Sequence, residues 1–553
     1  MTVDLDYYLQ TASAPEFLEW ADSLRPALFR DAMLARFRWD RALFLAYCFP
    51  TIYRGRFHDG RLRLLDFLPD FCRVDDRRGV QCYGIEAPRG LAKTSLLKGV
   101  LLHHAAHGLD SYAMWGGPSQ PEAERESSHL RSCFEHPSDA FNELYGPFLV
   151  SGGVRDWVVS FPGGRRFKLS ARGALRGTYR GSNFASVRPG LIVWDDVEDP
   201  KTVENARIRD ELSEKLQSDV LQAGPDTGGL IFIQGGTRLH PDSQTARNER
   251  NKTQFRSIRM ASVIAWPERQ DLWNTCRDLW SNLDDADRET TARAFYDDNR
   301  EDMDRGASLL DEEWRSLWDL NVLRWKVGDR AFFKDQQNAP RAATQALFDM
   351  DRARRCHLDE EGWLTTAGGK RIHLHQMRHG LALDPRNSDA VSRNDFASIA
   401  WVARDSAGYR YVLAVDMQRD TPSGGRARMW RWFERGLRNA VYGYEDNGAQ
   451  VLHGESFDRE REARRSRGEV WDMDPVPIKH TGNKIDRIAR LQPDVENGWL
   501  QFADDLSPEL WQQFCDLPNG AHDDGPDSVE MADALLSEGG STMAEVSSGP
   551  RIW

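Results

Sequence analysis

Apolar positions along this chain recur at two different steps, and the places where the step changes mark the predicted elements. Gln81 to Glu86 reads as a short strand, since Cys82, Tyr83 and Ile85 suit a pleated, half-buried surface. From Lys93 the step becomes three and four residues, through Leu96, Leu97, Val100, Leu101 and His104, which predicts a helix. Leu191-Ile192-Val193-Trp194 and Leu230-Ile231-Phe232-Ile233 are continuous apolar runs, the pattern of strands buried on both faces of a parallel sheet. Between them and the first helix, Ser111 to Trp115 forms a strand closed by Gly116-Gly117-Pro118, and residues 120–134 form a polar helix. Ahead of all these, Phe17, Leu18, Trp20, Ala21 and Leu24, then Phe29, Met33, Phe37, Phe44 and Leu45, predict amphipathic helices whose aromatic face is core.

The later part of the chain changes character. Residues 264–340 are acidic and Trp-rich, with helical pattern through 284–300 and 311–338, ending at Asp335-Gln336-Gln337-Asn338-Ala339-Pro340. The periodicity then weakens and Gly368-Gly369 punctuates it, which predicts a linker over 341–378. Beyond it come a strand ending at Asp384, two strands at 396–403 and 409–415 joined by a turn, a helix near 426–438, a strand ending at Glu445, and a final helix over 528–536.

Composition narrows the classes. At 553 residues the chain is too long for one ordinary core. A net charge of −13 excludes a protein coated in basic residues, so a nucleic-acid partner would be held by local patches. Seven scattered Cys, with no C-x-x-C pair, fit a reducing compartment. The acidic start Met1 to Asp6 has no signal-peptide core, and no run approaches the roughly 18 apolar residues of a membrane span. The expectation is a soluble intracellular protein with no membrane partner.

Chemistry enters at the element junctions. Strand, tight loop, then Lys93-Thr94 at a helix start is the layout of a phosphate-binding P-loop, although Ala87 and Ala92 occupy both usual glycine positions and only Gly90 supplies the freedom of glycine. There the loop amides and the positive helix end hold phosphates, Lys93 reaches the terminal ones, and a hydroxyl, Thr94 with Ser95 beside it, takes Mg²⁺. The apolar run at 191–194 delivers Asp195 and Asp196 at the sheet edge where ligands of open α/β sheets bind. Asp195 is the predicted Mg²⁺ residue and Asp196 the water-polarising one, with Glu198 its rival. Thr237 and Gln234, after the 230–233 strand, are candidates to sense the terminal phosphate. The cations Arg165, Arg166, Lys168, Arg172, Arg176 and Arg180 point to polyanion contact or to a solvated hairpin. His103, His104 and His107 read as core or solvated histidines.

Three antiparallel strands, a helix, a fourth strand and a closing acidic helix is the order of an RNase H-like fold. In that fold Asp384, Glu445 and one or more of Asp523, Asp524 and Asp527 would converge on two metals to cut a phosphodiester, with Asp416 a rival ligand. The predicted organisation is α/β: an N-terminal helical segment at 1–55, a P-loop ATPase domain at 56–340, the linker, and a nuclease domain at 379–553.

With those residues in place, the chain resembles the large terminase subunits of tailed bacteriophages across about 60 to 540. The likeness rests on Pro88-Arg89-Gly90-Leu91-Ala92-Lys93-Thr94, Arg176-Gly177 with Arg188 to Asp196, Gly235-Gly236-Thr237, Asn483-Lys484-Ile485-Asp486-Arg487-Ile488 with Asn497-Gly498, and His522-Asp523-Asp524. It departs where the family often continues Asp-Ala-Leu, since Ser528-Val529 follows Asp527 here. The resemblance implies ATP and Mg²⁺, with Mn²⁺ possible in the nuclease site, and Arg89, Gly90, Ala92, Lys93, Thr94, Ser95, Asp195 and Thr237 at the nucleotide. It implies movement of double-stranded DNA into a procapsid through a portal protein, a small terminase subunit as partner, and cutting of concatemeric DNA in the host cytoplasm. It also implies a homo-oligomeric ring on the procapsid in which Arg89, Arg125 or Arg172 completes a neighbour's site. The alternative is an ATP-dependent helicase or remodeller with a non-catalytic C-terminal domain.

Overall fold

The elements follow the period changes closely. In a computed structural model the described residues are 7–53, 57–68, 79–200, 202–225, 229–340, 346–385, 396–446, 451–469, 472–480 and 483–537. Helices α1 (Ala14–Asp22), α2 (Pro26–Trp39), α3 (Arg41–Cys48) and α4 (Asp59–Phe67) lead to strand β1 (Val80–Glu86) and helix α5 (Lys93–His107). Then come β2 (Tyr112–Gly117), α6 (Gln120–Glu135), α7 (Asp139–Tyr145), β3 (Leu149–Gly153), β4 (Asp156–Ser160), β5 (Arg166–Gly173), β6 (Leu191–Asp195) and α8 (Ala206–Lys215). β7 (Leu230–Gly236), α9 (Gln244–Arg250), β8 (Phe255–Arg259), β9 (Val263–Ala265), α10 (Gln270–Ser281), α11 (Arg288–Asp304), β10 (Ser308–Leu309), α12 (Leu317–Val327) and α13 (Asp329–Gln337) complete the first half.

The second half runs β11 (Arg355–Leu358), β12 (Trp363–Thr365), β13 (Arg371–His373), β14 (Arg378–Asp384), β15 (Ala397–Arg404), β16 (Arg410–Gln418), α14 (Pro422–Glu434), β17 (Val441–Glu445), α15 (Val451–Ser466) and β18 (Val476–Ile478). It closes with α16 (Lys484–Ile488), α17 (Gln492–Glu496), β19 (Leu500–Ala503), α18 (Pro508–Asp516) and α19 (Asp524–Ser537). The helical stretch predicted over 311–338 is two helices, parted where Gly328 takes a left-handed φ of 80° that ends α12.

The chain divides into two units, the first being 1–267, 306–321 and 330–342, and the second 268–305, 322–329 and 343–553. In the first, an eight-stranded sheet has the order β3-β4-β5-β2-β6-β7-β1-β8, parallel from β5 to β8 with a β3–β4 hairpin at one edge. β7 lies between β1 and β6, so Glu86 pairs with Gly236 and Asp195 with Gly235 at a common C-terminal edge. Leu96, Leu97, Val100 and Leu101 of α5 join Ile85, Val193 and Ile233 in the core. The aromatic face of α1–α3 is part of the same core, where Phe17, Phe37 and Phe44 are fully buried.

In the second unit a nine-stranded sheet has the order β13-β12-β11-β19-β16-β15-β14-β17-β18. β14, β15 and β16 form an antiparallel meander, and β17 returns parallel to β14, the RNase H-like order that the sequence predicts. Val529, Ala532 and Leu536 of α19 cover one face, and Met429, Trp430 and Phe433 of α14 the other.

Two boundaries differ from the sequence reading. Residues 346–378 of the predicted linker carry β11, β12 and β13, because β11 pairs in parallel with the distant β19, Arg355 opposite Phe502; residues 341–345 lie outside the described set. Residues 268–305, placed by sequence with the ATPase domain, belong to the second unit. Trp280 of α10 stacks near Trp499, whose indole N–H donates to Ser281 O at 2.7 Å, and Arg277 donates to Asn497 at 3.0 Å. No helix among the described residues is long and apolar enough to cross a membrane.

Candidate functional site

The loop between β1 and α5 takes the conformation its glycine-poor sequence makes expensive. Ala92, the residue before α5, sits in the left-handed region at φ 69°, a conformation that costs a non-glycine residue about 1–2 kcal/mol. Gly90 shares the burden at φ 88°. Such strain persists where the surroundings over-determine it, and here they do. Ala87 N donates to Gly236 O at 3.2 Å, and Arg89 N donates to Asp335 O of α13 at 2.8 Å. The Arg89 side chain, half exposed, pairs with Asp335 at 3.3 Å.

Around that loop the predicted residues converge. Lys93, buried at the first position of α5, donates from Nζ to Thr237 Oγ1 at 3.0 Å. Thr94 hydrogen-bonds the Asp195 carboxylate. Burial, with the Asp196 charge beside it, pushes Asp195 up to about 7, opposed by Thr94 and Lys93. Asp195 Oδ1 is buried with no hydrogen-bond partner, so one carboxylate oxygen is left for a cation and the donor set suits hard Mg²⁺. Thr237 N donates to Asp196 Oδ1 at 3.2 Å, and Asp196 itself has a positive φ of 42°. Gly235 lets α5 approach closely here, since a Cβ would stand 2.5 Å from Leu97 Cδ1 and push that side chain aside. Ser95 lies half-buried one residue on.

Three sequence candidates are drawn elsewhere. The Glu198 carboxylate accepts from Gln244 N at 2.8 Å and from Thr245 N, so it holds the start of α9; burial raises it to about 7. Gln234 Oε1 accepts from Asn248 Nδ2 at 2.7 Å, and between it and Thr237 only Thr237 meets Lys93. Arg172 is spent on Asp156 at 2.9 Å, whereas Arg125 and Arg89 are exposed. Of the six cations along 165–181, Arg165, Arg166, Lys168 and Arg172 make local contacts, and Arg166, Arg176 and Arg180 are exposed. Arg165 stacks 3.8 Å from the Phe161 ring and donates to Ala106 O at 2.8 Å, closing the end of α5, while Arg166 lies over Phe184 and Lys168 over Tyr112. The histidines are structural: His103 meets Phe37 O, His104 meets Asp110, and His107 meets the Tyr145 hydroxyl.

Sequence reasoning missed a buried ion pair directly beneath the loop. Glu86, the last residue of β1, is 2% exposed and accepts from Arg238 Nε at 2.9 Å; Arg238 also pairs with Glu249. Arg238 N donates to Asn338 Oδ1 at 2.9 Å, and Asn338 Nδ2 donates to Met260 O, so the loop after β7 is fixed on three sides. The only sequence signal was an Arg directly after Gly235-Gly236-Thr237.

A second set of acids gathers in the second unit. Asp384 and Glu445 end the neighbouring parallel strands β14 and β17, and each is less than a tenth exposed. Asp523 precedes α19, Asp524 begins it, and Asp527 lies one turn on, 1% exposed. Burial first, then Asp527, Glu445 and Asp524, raise Asp384 well above the usual carboxylate range, against the pull of Lys484; burial also raises Glu445 and Asp524. Asp416 is not among them, because the buried Arg428 pairs with it at 3.0 Å. Ser528, where the resemblance departs, is buried against Ser398 Oγ at 2.8 Å and leaves the acids in place.

Between these carboxylates stands Lys484, the first residue of α16. Its Nζ lies 2.8 Å from Asp523, 3.2 Å from Asp527, 3.4 Å from Asp384 and 3.9 Å from Asp524. Burial lowers the Lys484 ammonium, but Asp384, Asp527 and Asp523 outweigh it and raise it overall. Arg487 pairs with Asp527 Oδ1 at 2.5 Å. Among the described residues no group of three His, Cys, Asp or Glu side chains is set to hold a metal ion as it stands. The donor chemistry still suits one, since all the groups are hard oxygens, and the buried Asp527 Oδ2 faces a cation already, Lys484 Nζ at 3.2 Å.

Comparison with known proteins places this geometry beside solved structures only. No family model matches the chain, and no curated protein matches it. The chain is similar to the large terminase of the thermophilic bacteriophage D6E in complex with ADP, at 10% identity and a TM-score of 0.42, over 87% of this chain and 98% of that one. It is similar to the HK97 bacteriophage large terminase at 12% identity and a TM-score of 0.25, over 82% and 91%. The human cytomegalovirus terminase nuclease domain aligns with 29% of this chain and 84% of its own, at 12% identity and a TM-score of 0.23.

Proposed function

We propose that this chain is the motor and nuclease of a viral DNA-packaging machine, a large terminase-like protein that hydrolyses ATP to move double-stranded DNA and cuts it with divalent metal. The observation that carries the reading is the presence, in one chain, of two separate convergent sites. One is Lys93, Thr94, Asp195, Asp196 and Thr237 at a parallel-sheet edge; the other is Asp384, Glu445 and Asp524 at the end of an RNase H-like sheet.

At the first site the amides of the loop and the N-terminal end of α5 bind the ATP phosphates, with Lys93 on the terminal ones. Thr94 and Asp195 hold Mg²⁺, which supplies charge neutralisation. Asp196 orients the attacking water, a role that favours it over Glu198 because Thr237 already bridges Asp196 to Lys93. Thr237 is thereby the residue through which the state of the terminal phosphate reaches the loop after β7. Of the three candidates for completing a neighbour's site in a ring on the procapsid, Arg89 and Arg125 are the more exposed, though each has a carboxylate partner, Asp335 and Glu126.

At the second site Asp384, Glu445 and Asp524, with Asp523 or Asp527, would hold Mg²⁺ or Mn²⁺, which would supply water activation and charge neutralisation at the phosphodiester. A helicase with a structural C-terminal domain gives these acids no task, although burying several carboxylates together is costly. A portal protein and a small terminase subunit are the partners such a motor needs.

The test is packaging itself. Procapsids bearing a portal, incubated with the protein, ATP and linear duplex DNA, should yield DNA protected from added nuclease. Lys93→Ala should abolish protection, and Asp384→Ala should retain it on pre-cut DNA. Protection by the Lys93→Ala protein at the wild-type level would reject the motor reading.

A further inference from the structure

Five carboxylates in one pocket need protons or a cation to offset their charge, and here a cation stands among them. Asp384, Glu445, Asp523, Asp524 and Asp527 are brought together by three separate pieces of chain, and three of the five are nearly inaccessible to water's screening: Asp384 is 7%, Glu445 8% and Asp527 1% exposed. Among the described residues Lys484 and Arg487, both on α16, bring positive charge to them, and the His522 ring lies 3.9 Å from Asp524. Arg487 is turned to the rear of the cluster, toward Asp527 Oδ1 and Glu530. Lys484 is central, with its Nζ within 4 Å of four carboxylates. Asn483 caps α16 through its side chain, accepting from Ile485 N at 2.9 Å, and so fixes the place from which Lys484 reaches in.

We infer that Lys484 is a resident counter-cation of the nuclease site, which occupies the position of the divalent metal until the metal displaces it. The inference rests on the metal-nuclease reading of Asp384 and Glu445. An ammonium brings one charge and approaches carboxylate oxygens at about 2.8 Å, whereas a divalent ion brings two charges at about 2.0–2.2 Å. The metal therefore wins the shared carboxylates once its concentration is sufficient, and the ammonium must withdraw, because both cannot hold the same oxygens. Two consequences follow from this competition. The cluster keeps a cation among its acids without metal. Metal affinity is also weaker than the acids alone would give, so the site cuts only when metal and substrate phosphate together outbid the lysine.

Two readouts other than cleavage test this. Mn²⁺ binding is followed by electron paramagnetic resonance on nucleotide-free protein, and the component lost in Asp384→Asn is assigned to the nuclease site. Lys484→Gln should bind that component about tenfold more tightly than the wild type, and Lys484→Arg should bind it no more tightly. In the wild-type protein, acetylation of Lys484 read by mass spectrometry should rise several-fold on adding Mn²⁺, with the exposed Lys479 as an internal standard. The labelling needs no variant, so a Lys484→Gln protein that fails to fold leaves the inference testable. Unchanged or weaker Mn²⁺ binding in Lys484→Gln, or Lys484 reactivity indifferent to Mn²⁺, would overturn the resident-cation role and leave the nuclease reading standing. Absence of any Mn²⁺ component sensitive to Asp384→Asn would overturn the nuclease reading and this inference with it.

Discussion

Asp195 shows how one residue can trade stability for chemistry. Its carboxylate is buried beside Asp196 and raised to about 7 from an ordinary value of 3.8. A carboxyl raised in the folded state contributes stability that is complete below its unfolded value and is lost as pH climbs through the folded one. In nucleotide-free, metal-free protein, Asp195→Asn removes that loss. The melting-temperature advantage of the variant should therefore grow between about pH 4 and pH 7, level off above, and reach a few degrees. A difference that stays flat over that range would mean Asp195 ionises freely in the folded protein. Mg²⁺ with ATP should cancel the advantage, because the cation gives the ionised carboxylate the partner its Oδ1 lacks. Residues of this kind were legible in the sequence, since an apolar run ending in two acids describes both the strand and the edge to which it delivers them. Ala92 was legible as a departure but not as strain, which shows only in its backbone angle.

At the scale of elements, the loop after β1 is held by a contact between the ends of two neighbouring strands. Glu86 and Arg238 are 152 positions apart in sequence and meet because β1 pairs with β7. Both are buried, and Arg238 keeps Glu249 when Glu86 is neutralised, so losing the Glu86 charge removes one of its two carboxylates at a cost of about 1–3 kcal/mol. Glu86→Gln should lower the stability of the first unit by that amount in a denaturant titration, and Glu86→Gln with Arg238→Met should recover most of it. A loss below about 1 kcal/mol in the single variant would show that the pair does not hold the loop. No local pattern announces such a pair. The same limit explains β11, β12 and β13, which are only four, three and three residues long and exist by pairing with β19 and with one another. It also explains why α10 and α11 could not be assigned to their unit from periodicity: α10 is fixed by contact with Asn497 and Trp499, far along the chain, and α11 packs on α10 through Tyr296 and Trp273. The strand order of the second sheet, by contrast, was readable, because its meander and its returning strand are consecutive in sequence.

For the whole molecule the central claim is that two chemistries reside in one chain and depend on different residues. ATP hydrolysis and cleavage of supercoiled plasmid, measured side by side on three proteins, test it most directly. The wild type should hydrolyse ATP and, with Mg²⁺ or Mn²⁺, cut the plasmid. Lys93→Ala should lose ATP hydrolysis at least a hundredfold, about 2.7 kcal/mol or more of transition-state stabilisation, and still cut. Asp384→Ala should lose cutting by a similar factor and still hydrolyse ATP. That crossed pattern is the predicted result. Equal loss of both activities in either variant, or plasmid cutting that survives Asp384→Ala, would contradict the assignment of two separate sites.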